Sequence, residues 1–447
     1  MIVPRTRLLI VVAAFGLPLA ALAGTMPAAA SLAGLAMVIL AAVVVSDAAE
    51  ARRQLDGVSV ALPELVRLQK DRPGSVEISL HNRSQKKRPL RLGFAFPREL
   101  QAEADEREIL LPAGAELSRL EWSCTPTRRG QYLLSRAYLE ARSNLGLWAA
   151  RASQPVKSEL RVYPDLLADR KQVAALFLRR NNVGTRAQRQ AGQGRDFEKL
   201  RNYLPGDSVS EIHWKASAKR GHPVTKVFQV ERTQEVYVVI DASRLSGRTV
   251  ATSGNAVVAP SALERYVSAA LLLGLAAEQQ GDQFGLITFS DRVLSFVRAK
   301  SGQAHYDACR DQLFALQPQI VAPDFDELAA FIRLRLRKRA LLILLTALDD
   351  PMLAESFTKN VELICRQHLV IANMLQPPGA QPMFASEAVG EVDDLYGQLG
   401  GHLQWHQLRE LRTVLQRLGV RFHLLDPEKL PSQLIGQHAE VKARQLL

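Results

Sequence analysis

The chain has 447 residues, of which 47% are hydrophobic, and it carries a formal net charge of +12 with only three cysteines. This length allows two or three domains with ample apolar material for their cores, and an odd, widely spaced set of cysteines excludes a disulfide framework and is typical of a reducing compartment. The positive charge indicates an anionic partner, either lipid headgroups or nucleic acid.

Near the start of the chain lies a long apolar stretch, because residues 8–46 contain no charged side chain. One helix of this length would measure about 58 Å, nearly twice a hydrocarbon core of about 30 Å. Two membrane-spanning helices at residues 8–23 and 28–45, joined by a turn, fit a bilayer better. A signal peptide ending at Ala21-Leu22-Ala23 is the alternative for the first segment, and a buried hairpin is a second alternative.

Arginines flank the apolar stretch on both sides. Arg5 and Arg7 precede it, Arg52 and Arg53 follow it, and the turn between the two predicted helices has no charge. Loops rich in lysine and arginine stay on the cytoplasmic side of a membrane. The pattern therefore predicts that both ends of the hairpin face the cytoplasm.

Residues 54–164 change in character, because short β-prone runs alternate with Pro, Gly, Asn and Ser. Six strands are predicted, at residues 58–62, 76–80, 90–94, 116–122, 132–136 and 160–163. Regular short strands over about 110 residues are typical of a β-sandwich. We interpret the basic run at residues 83–91 as a solvated hairpin loop, with contact to anionic lipid as the alternative.

Residues 165–234 are predicted to link the sandwich to the next domain. They begin with a helix and a basic loop. Further on, Leu204-Pro205-Gly206-Asp207 predicts a type II turn. The capping-box spacing of Ser208 and Glu211 then predicts a helix that starts there and stops at Gly221.

From residue 235 onward, strands and helices alternate. Strands are predicted at residues 236–240, 284–289, 293–297, 340–345, 369–375 and 421–425, and helices at residues 261–280, 303–316, 325–335, 352–367 and 403–418. This rhythm predicts an α/β fold with a mostly parallel, doubly wound sheet over residues 235–447. It would be preceded by the all-β sandwich and by the two-helix transmembrane hairpin of residues 1–53. The proline-rich residues 376–398 are interpreted as an insertion or a lid over one end of the sheet.

One stretch of motifs relates these parts to a known family. Its residues run Arg201-x-Tyr203-x-Pro205-Gly206-Asp207, then Ile212-x-Trp214-Lys215-x-Ser217-Ala218-Lys219, then Glu231-Arg232 before a strand ending in Asp241-x-Ser243. In these motifs the chain resembles the bacterial family named domain of unknown function 58, which has a von Willebrand factor A-type fold. The resemblance implies a protein of the bacterial inner membrane with its soluble domains in the cytoplasm. It also implies a MoxR-type AAA ATPase as partner in the maturation of other protein complexes.

The A-type fold further implies a divalent-metal site at the carboxyl ends of the strands, where doubly wound sheets bind ligands. The family pattern is Asp-x-Ser-x-Ser with a loop Thr and a later Asp, and such oxygens suit Mg²⁺. Asp241 and Ser243 match this pattern, whereas Leu245 and Ala347 occupy two ligand positions. We therefore expect a degenerate site without a metal or other cofactor, in which Asp241 bonds to backbone amides. Four further carboxylates are interpreted as caps, with substitute metal ligation as the alternative: Asp324, Asp326, Asp349 and Asp350.

The signature residues are the main candidate site: Arg201, Tyr203, Gly206, Asp207, Trp214, Lys215, Ser217, Glu231 and Arg232. One interpretation is a structural clamp, in which the carboxylates of this set pair with Arg201 and Lys215. The other is a surface that docks a partner protein, and the two are compatible. We expect Trp214 to be mainly structural, and Lys215 and Arg232 to be exposed.

The sequence contains no nucleophile elbow, P-loop or complete catalytic set. We therefore predict a non-enzymatic, membrane-anchored protein-interaction or assembly factor without a nucleic-acid partner. One alternative is a metal-dependent hydrolase or ligand-binding site at the strand ends. A second is a membrane-associated nucleic-acid binder, which has only the net charge in its favour.

Overall fold

The computed structural model describes residues 1–26, 29–84, 87–167, 196–204, 207–229, 234–250, 259–383, 385, 392–444 and 446. It divides into two compact units, Met1–Asp165 and Leu166–Leu447. The first unit contains apolar helices and an all-β domain. The second contains a small two-stranded module and a mixed α/β domain.

Two apolar helical segments open the first unit. A strand, β1 (Ile2–Pro4), leads into the first segment, which comprises α1 (Thr6–Val11), a π-helical turn (Val12–Gly16) and α2 (Leu17–Thr25), and the second segment is α3 (Ala30–Arg53). The spans Thr6–Thr25 and Ala30–Arg53 are long and apolar enough to cross a membrane, because some twenty residues of helix measure about 30 Å. Both predicted spans are therefore present as helices.

The all-β domain consists of two packed sheets. Its strands are β2 (Val58–Ala61), β3 (Leu65–Gln69), β4 (Gly74–Asn82), β5 (Arg88–Phe94), β6 (Leu100–Ala102), β7 (Glu106–Leu111), β8 (Leu117–Pro126), β9 (Gly130–Arg142) and β10 (Trp148–Tyr163). One sheet has the order β1-β10-β9-β5-β7, with β3 beside β10, and the other has the order β2-β4-β8-β6. The predicted β-sandwich is confirmed.

The inward side chains of both sheets form one apolar core. Trp122 is 2% exposed at its centre, its indole N–H donates to the Ala104 carbonyl at 3.0 Å, and its ring meets that of Phe94 edge-on. The sequence pattern missed β7, because this edge strand begins with Glu-Arg-Glu and stays mostly exposed. Only Ile109 and Leu111 near its end reach the core, so the apolar alternation is too short to predict a strand.

The strand that precedes the first apolar helix belongs to the sandwich. β1 pairs antiparallel with the start of β10, with Val3 opposite Ala149, and the Arg5 amide donates to the Leu147 carbonyl at 2.9 Å. Three residues are too few to show a strand period, so the sequence did not predict β1. The pairing fixes the entry to the first span to the edge of a folded sheet.

The end of the second span is fixed to the same region through Asp47. This side chain is 4% exposed, and its carboxylate accepts hydrogen bonds from the Ser143 hydroxyl at 2.6 Å and from the amides of Leu145 at 3.1 Å and Leu147 at 3.3 Å. The Trp148 indole N–H also donates to the Val44 carbonyl at 3.0 Å. We call these contacts, together with the β1–β10 pairing, the anchor junction.

The second unit begins with the signature module, formed by β11 (Asp196–Asn202), a 3₁₀ turn (Val209–Glu211), α4 (Trp214–Arg220) and β12 (Val224–Gln229). β11 and β12 form an antiparallel pair. The predicted helix from Ser208 is wrong, because Ile212 is extended and bridges to Thr225, which interrupts the helix. Its predicted end is confirmed, since Gly221 has a φ of 70° at the C-cap, where glycine is favoured.

The remainder of the second unit is the doubly wound domain. Its strands are β13 (Glu235–Asp241), β14 (Gln283–Phe289), β15 (Val293–Lys300), β16 (Leu341–Leu345), β17 (Leu369–Leu375) and β18 (Arg421–Leu425), and its helices are α5 (Ala262–Gln279), α6 (Gln303–Leu313), α7 (Phe325–Arg335), α8 (Pro351–Cys365), α9 (Val392–Arg417) and α10 (Leu430–Ala443). The sheet order is β15-β14-β13-β16-β17-β18, and every neighbouring pair is parallel except β14–β15. The predicted doubly wound sheet is confirmed.

Apolar cores lie on both faces of this sheet. Along β13, Val236 and Val238 face one core, and Tyr237 and Val239 face the other. A strand that is buried on both faces reads as a continuous apolar run, which is why the sequence located β13. The chain leaves β13 towards β14 on one side and returns to β16 on the other, so the strand order reverses between β13 and β16.

A buried carboxylate holds the last helix, α10, which the sequence did not predict. Asp282 Oδ2 lies 2.8 Å from Lys442 Nζ and 3.0 Å from His438 Nε2, both on α10. Asp282 Oδ1 accepts from the Gln234 amide at 3.2 Å. Both Asp282 and His438 are fully buried. This cluster therefore ties α10 to the beginnings of β13 and β14.

Candidate functional site

Asp241 ends β13 at the point where the strand order reverses, which is where open α/β sheets bind ligands. Its carboxylate is buried. Oδ1 accepts from the Ser243 amide at 2.8 Å, and Oδ2 accepts from the Thr346 hydroxyl at 2.7 Å. Burial raises the pKa of Asp241, while the hydrogen bonds from Thr346 and Ser243 act in the opposite direction. Both oxygens are thus used within the protein.

The residues around Asp241 do not supply the ligand set of a divalent metal. The Ser243 oxygen accepts from the Leu245 amide at 3.4 Å, and Leu245 is a buried apolar residue. Ala347 has no oxygen in its side chain. The Ser246 hydroxyl, one position late in the pattern, donates to the Ser243 carbonyl at 2.8 Å. Among the described residues, no group of three His, Cys, Asp or Glu side chains is placed to hold a metal ion.

The carboxylates considered as substitute ligands have other partners. Asp324 Oδ1 accepts from the amides of Asp326 and Glu327 at the start of α7, and Asp350 Oδ1 accepts from the Met352 amide at the start of α8. Their predicted capping role is confirmed. Asp326 accepts from the Asn360 side chain, and Asp349 pairs with Arg248, so these two are not caps.

A cavity of about 360 Å³ opens at the carboxyl ends of β13, β16, β17 and β18. Its walls include Leu245, Tyr266 and the loop after β17, and the Arg248–Asp349 pair lies at its edge. Asp349 Oδ1 is buried and has no hydrogen-bond partner within the described part of the chain. The cavity therefore combines apolar walls with the Arg248–Asp349 pair and the polar side chains of Thr249, Gln376 and Asp426, which suits a small amphipathic ligand better than a metal.

In the signature module, Asp207 organises the turn between β11 and α4. Its Oδ1 accepts from Arg201 Nη2 at 2.6 Å, and Oδ2 accepts from the Leu204 amide at 3.0 Å and the Thr225 hydroxyl at 3.2 Å. The Leu204 amide, ahead of Arg201 and Thr225, holds the pKa of Asp207 below its ordinary value. The pairing with Arg201 that the clamp interpretation expects is present.

The inner side of α4 is fastened to β12. His213 caps the helix by accepting from the Ala216 amide at 3.1 Å. The Ser217 hydroxyl accepts from the Val224 amide at 2.9 Å and donates to the His213 carbonyl at 3.1 Å. The sequence singled out Ser217 but gave no sign that His213 is a cap, because histidine is an uncommon residue at that position.

The outer side of α4 contradicts one expectation. Trp214 is 67% exposed, so the prediction that it is mainly structural is wrong: α4 turns this side chain away from the hairpin that holds Ser217. Lys215 is exposed, as predicted, and Tyr203 is half-buried. Gly206, Glu231 and Arg232 lie outside the described residues.

Comparison with known proteins supports the family resemblance. Residues 199–383 match the family described as protein of unknown function DUF58, which confirms the resemblance over that part of the chain. The search of curated proteins found no match.

Three solved structures are similar to part of the chain: the conserved hypothetical protein BatB from Bacteroides thetaiotaomicron (15% identity, TM-score 0.29, 47% of this chain and 99% of that one), an aerotolerance-related membrane protein from Bacteroides fragilis (14%, 0.27, 46% and 97%), and the SpRpn10 VWA domain (11%, 0.28, 46% and 95%).

Proposed function

We propose that this protein is a membrane-anchored interaction factor that presents its soluble domains to the cytoplasm. The observation that carries the proposal is the anchor junction. β1 and the end of α3 both contact the sandwich near the start of β10, so the two apolar helices are an integral part of a folded domain rather than a loose tether. If only one of the two helices crossed the membrane, β1 and the end of α3 would lie on opposite sides of the bilayer.

The orientation of the two apolar helices in the membrane follows from the positive charges that flank them. Arg5 and Arg7 precede the hairpin, Arg52 and Arg53 follow it, and positively charged flanks stay in the cytoplasm. The described part of the chain contains no further helix that could cross a membrane. This supports a cytoplasmic location for the sandwich, the signature module and the doubly wound domain.

We predict that a reporter fused after Leu447 behaves as cytoplasmic. A green fluorescent protein fusion should be bright, and an alkaline phosphatase fusion should be inactive, because that enzyme needs an oxidising compartment to form its disulfides. Fusion of the same reporters within the turn between α2 and α3 is the matched control and should give the opposite pattern. Phosphatase activity from the Leu447 fusion would overturn the orientation.

The interaction partner we propose is a MoxR-type AAA ATPase, with which the protein would act in the maturation of other complexes. The support is the family resemblance together with the chemistry of the strand ends, where Asp241 is occupied by Ser243 and Thr346. A carboxylate whose two oxygens are used in this way favours a binding scaffold over a reaction centre. Chemical crosslinking in native membranes followed by identification of the copurifying proteins tests the proposal, which fails if no other protein is captured.

The cavity beside Arg248 and Asp349 favours a second candidate function, the binding of a small ligand at the strand ends. Of the two forms of this alternative, metal-dependent hydrolysis has the weaker support, because Leu245 and Ala347 contribute no oxygen ligands. A hydrolase would also need a nucleophile or an activated water close to Asp241.

We predict that Mg²⁺ does not bind at Asp241 with micromolar affinity. Calorimetric titration of the full chain in detergent micelles with MgCl₂ should give the same heats for the wild type, for Asp241→Ala and for Asp105→Ala, an exposed carboxylate of the sandwich. The physical reason is that ligand number sets the affinity for such cations. A micromolar signal that disappears only in Asp241→Ala would make the hydrolase the leading hypothesis.

A further inference from the structure

The outward side of α4 is an unusual surface for a helix of seven residues. Trp214, Lys215, Ala218 and Lys219 are all exposed, and their positions cover one continuous arc of about 140° on a helix with 100° per residue. We call this set the Trp214 face. An exposed tryptophan is uncommon away from binding sites, because tryptophan is enriched at the centres of protein interfaces.

The Trp214 face is held rigidly from behind. Ser217, on the opposite side of α4, bonds to the Val224 amide and to the His213 carbonyl. Gly221 then ends the helix through its amide, which donates to the Ser217 carbonyl at 2.9 Å. A side chain presented on such a support loses little conformational freedom on binding, which raises the affinity that its contacts can provide.

The charge of this face is positive. Lys215 and Lys219 lie one turn apart, and Arg220 follows them. The nearby carboxylate Asp207 is already used by Arg201, Leu204 and Thr225, so it does not neutralise the lysines. Of the module's other carboxylates, Glu211 lies in the 3₁₀ turn before the helix, and Asp196 and Glu198 belong to β11.

The segment that leads into α4 also exposes aliphatic side chains. Val209 in the 3₁₀ turn is 64% exposed, and Leu204 in the preceding turn is 56% exposed. Aliphatic surface contributes little to binding a phosphate backbone, whereas an apolar centre with a charged rim is the usual composition of a protein interface. The combination therefore favours a protein over a nucleic acid.

We propose that the Trp214 face docks an acidic surface of a partner protein, with Trp214 seated in an apolar pocket and Lys215 and Lys219 facing carboxylates at its rim. The inference rests on the proposed function as an interaction factor, and it specifies the chemistry of the partner. The clamp around Asp207 then holds the Trp214 face in place, while the Trp214 face itself contacts the partner protein.

Zero-length carbodiimide crosslinking in native membranes tests the chemistry directly, since this reagent joins a lysine amine only to a carboxylate in contact with it. We expect linked peptides between Lys215 or Lys219 and Asp or Glu residues of one other protein. Trp214→Ala should lower the yield of these peptides at least about tenfold, the effect of losing an interface hot spot. Its melting temperature should stay unchanged, because the side chain is exposed.

Two matched variants in the doubly wound domain serve as controls. Ile320→Ala removes an apolar side chain that is 96% exposed, and Lys338→Glu reverses an exposed charge; neither should alter the yield of the Lys215 and Lys219 peptides. The double variant Lys215→Glu/Lys219→Glu should abolish capture of the same protein by an amine-independent photocrosslinker placed at Val209.

The outcomes distinguish a failure of the docking face from a failure of the proposed function as an interaction factor. If a protein is captured through other parts of the chain and Trp214→Ala has no effect, the docking face is wrong and the interaction factor stands. If no protein is captured anywhere, both fail. If Lys215 and Lys219 crosslink only to nucleic acid or lipid, in a manner abolished by nuclease or by removal of anionic lipid, the acidic protein surface is refuted. A fall in the melting temperature of Trp214→Ala would also refute it, because the residue would then be structural.

Discussion

Asp282→Ala should destabilise the doubly wound domain by about 3–5 kcal/mol, the usual cost of removing one partner from a buried charged cluster. The Asp282 carboxylate receives Lys442 at 2.8 Å, His438 at 3.0 Å and the Gln234 amide at 3.2 Å. Alanine leaves these donors without their acceptor in the interior. Chemical denaturation of the full chain in micelles, followed by circular dichroism, measures the change.

The control for this variant is Glu355→Ala. Glu355 and Lys359 form an exposed ion pair one turn apart on α8, and exposed pairs of this kind contribute little to stability. A loss of the same size in the two variants would contradict the role that we assign to the Asp282 cluster. A large loss in Asp282→Ala alone, accompanied by proteolysis within α10, is the expected pattern.

The same cluster makes stability depend on pH in a defined direction. Burial on its own raises the pKa of Asp282, but the hydrogen bonds from His438, Lys442 and the Gln234 amide outweigh it and hold the pKa below its ordinary value. The contribution to stability is therefore complete above the unfolded pKa of about 3.9 and is lost as the pH falls through the folded value. The wild type should lose stability below about pH 4 more steeply than Asp282→Asn, and parallel curves would contradict this account.

Asp47→Ala should loosen the anchor junction. The Ser143 hydroxyl and the amides of Leu145 and Leu147 would lose a charged acceptor, and each buried donor left without a partner costs about 1–3 kcal/mol. We expect hydrogen exchange at the Leu145 and Leu147 amides in nanodiscs to accelerate by about a hundredfold or more, since every 1.4 kcal/mol corresponds to a factor of ten. Insertion of the hairpin should remain normal.

Asp56→Ala is the control for the junction, because Asp56 lies just beyond α3 and is exposed. It should leave exchange at both amides unchanged. If Asp47→Ala also leaves them unchanged, the Asp47 contacts do not hold the turn, and the β1–β10 pairing and the Trp148–Val44 hydrogen bond would have to fix the hairpin to the sandwich.

The sequence predicted the bounds of an element correctly where a strong pattern lies within the element itself. β17 (Leu369–Leu375) and α7 (Phe325–Arg335) have the predicted bounds, because the first is a continuous apolar run and the second follows the capping residue Asp324. β1 and α10 were missed for different reasons. β1 is a strand only because it pairs with β10, far along the chain. α10 contains Gly436 and shows only a weak apolar period.

In the site too, the sequence predicted residues that are close together in the chain and missed contacts between residues that are far apart in it. The order of residues identified Asp241 and Ser243, and it located Asp207 and Arg201, whose pairing needs only six residues of chain. It did not reveal that Thr346, 105 positions from Asp241, occupies the second carboxylate oxygen. It also predicted a mainly structural role for Trp214, because the direction in which a short helix faces depends on the hairpin that supports it and not on the residue itself.

The pairing of β1 with β10 has a consequence for the order of events during synthesis. Met1 bonds to Arg151, 150 positions later, and at about 5–20 residues per second this separation corresponds to a delay on the order of 7–30 s. Both apolar helices therefore leave the ribosome well before the edge of the sandwich can be completed. A chain in which only one of them has inserted carries β1 and β10 on opposite faces of the bilayer, so its sandwich stays unfinished and open to proteolysis. On the proposed topology, completion of this sheet therefore depends on the insertion of both helices.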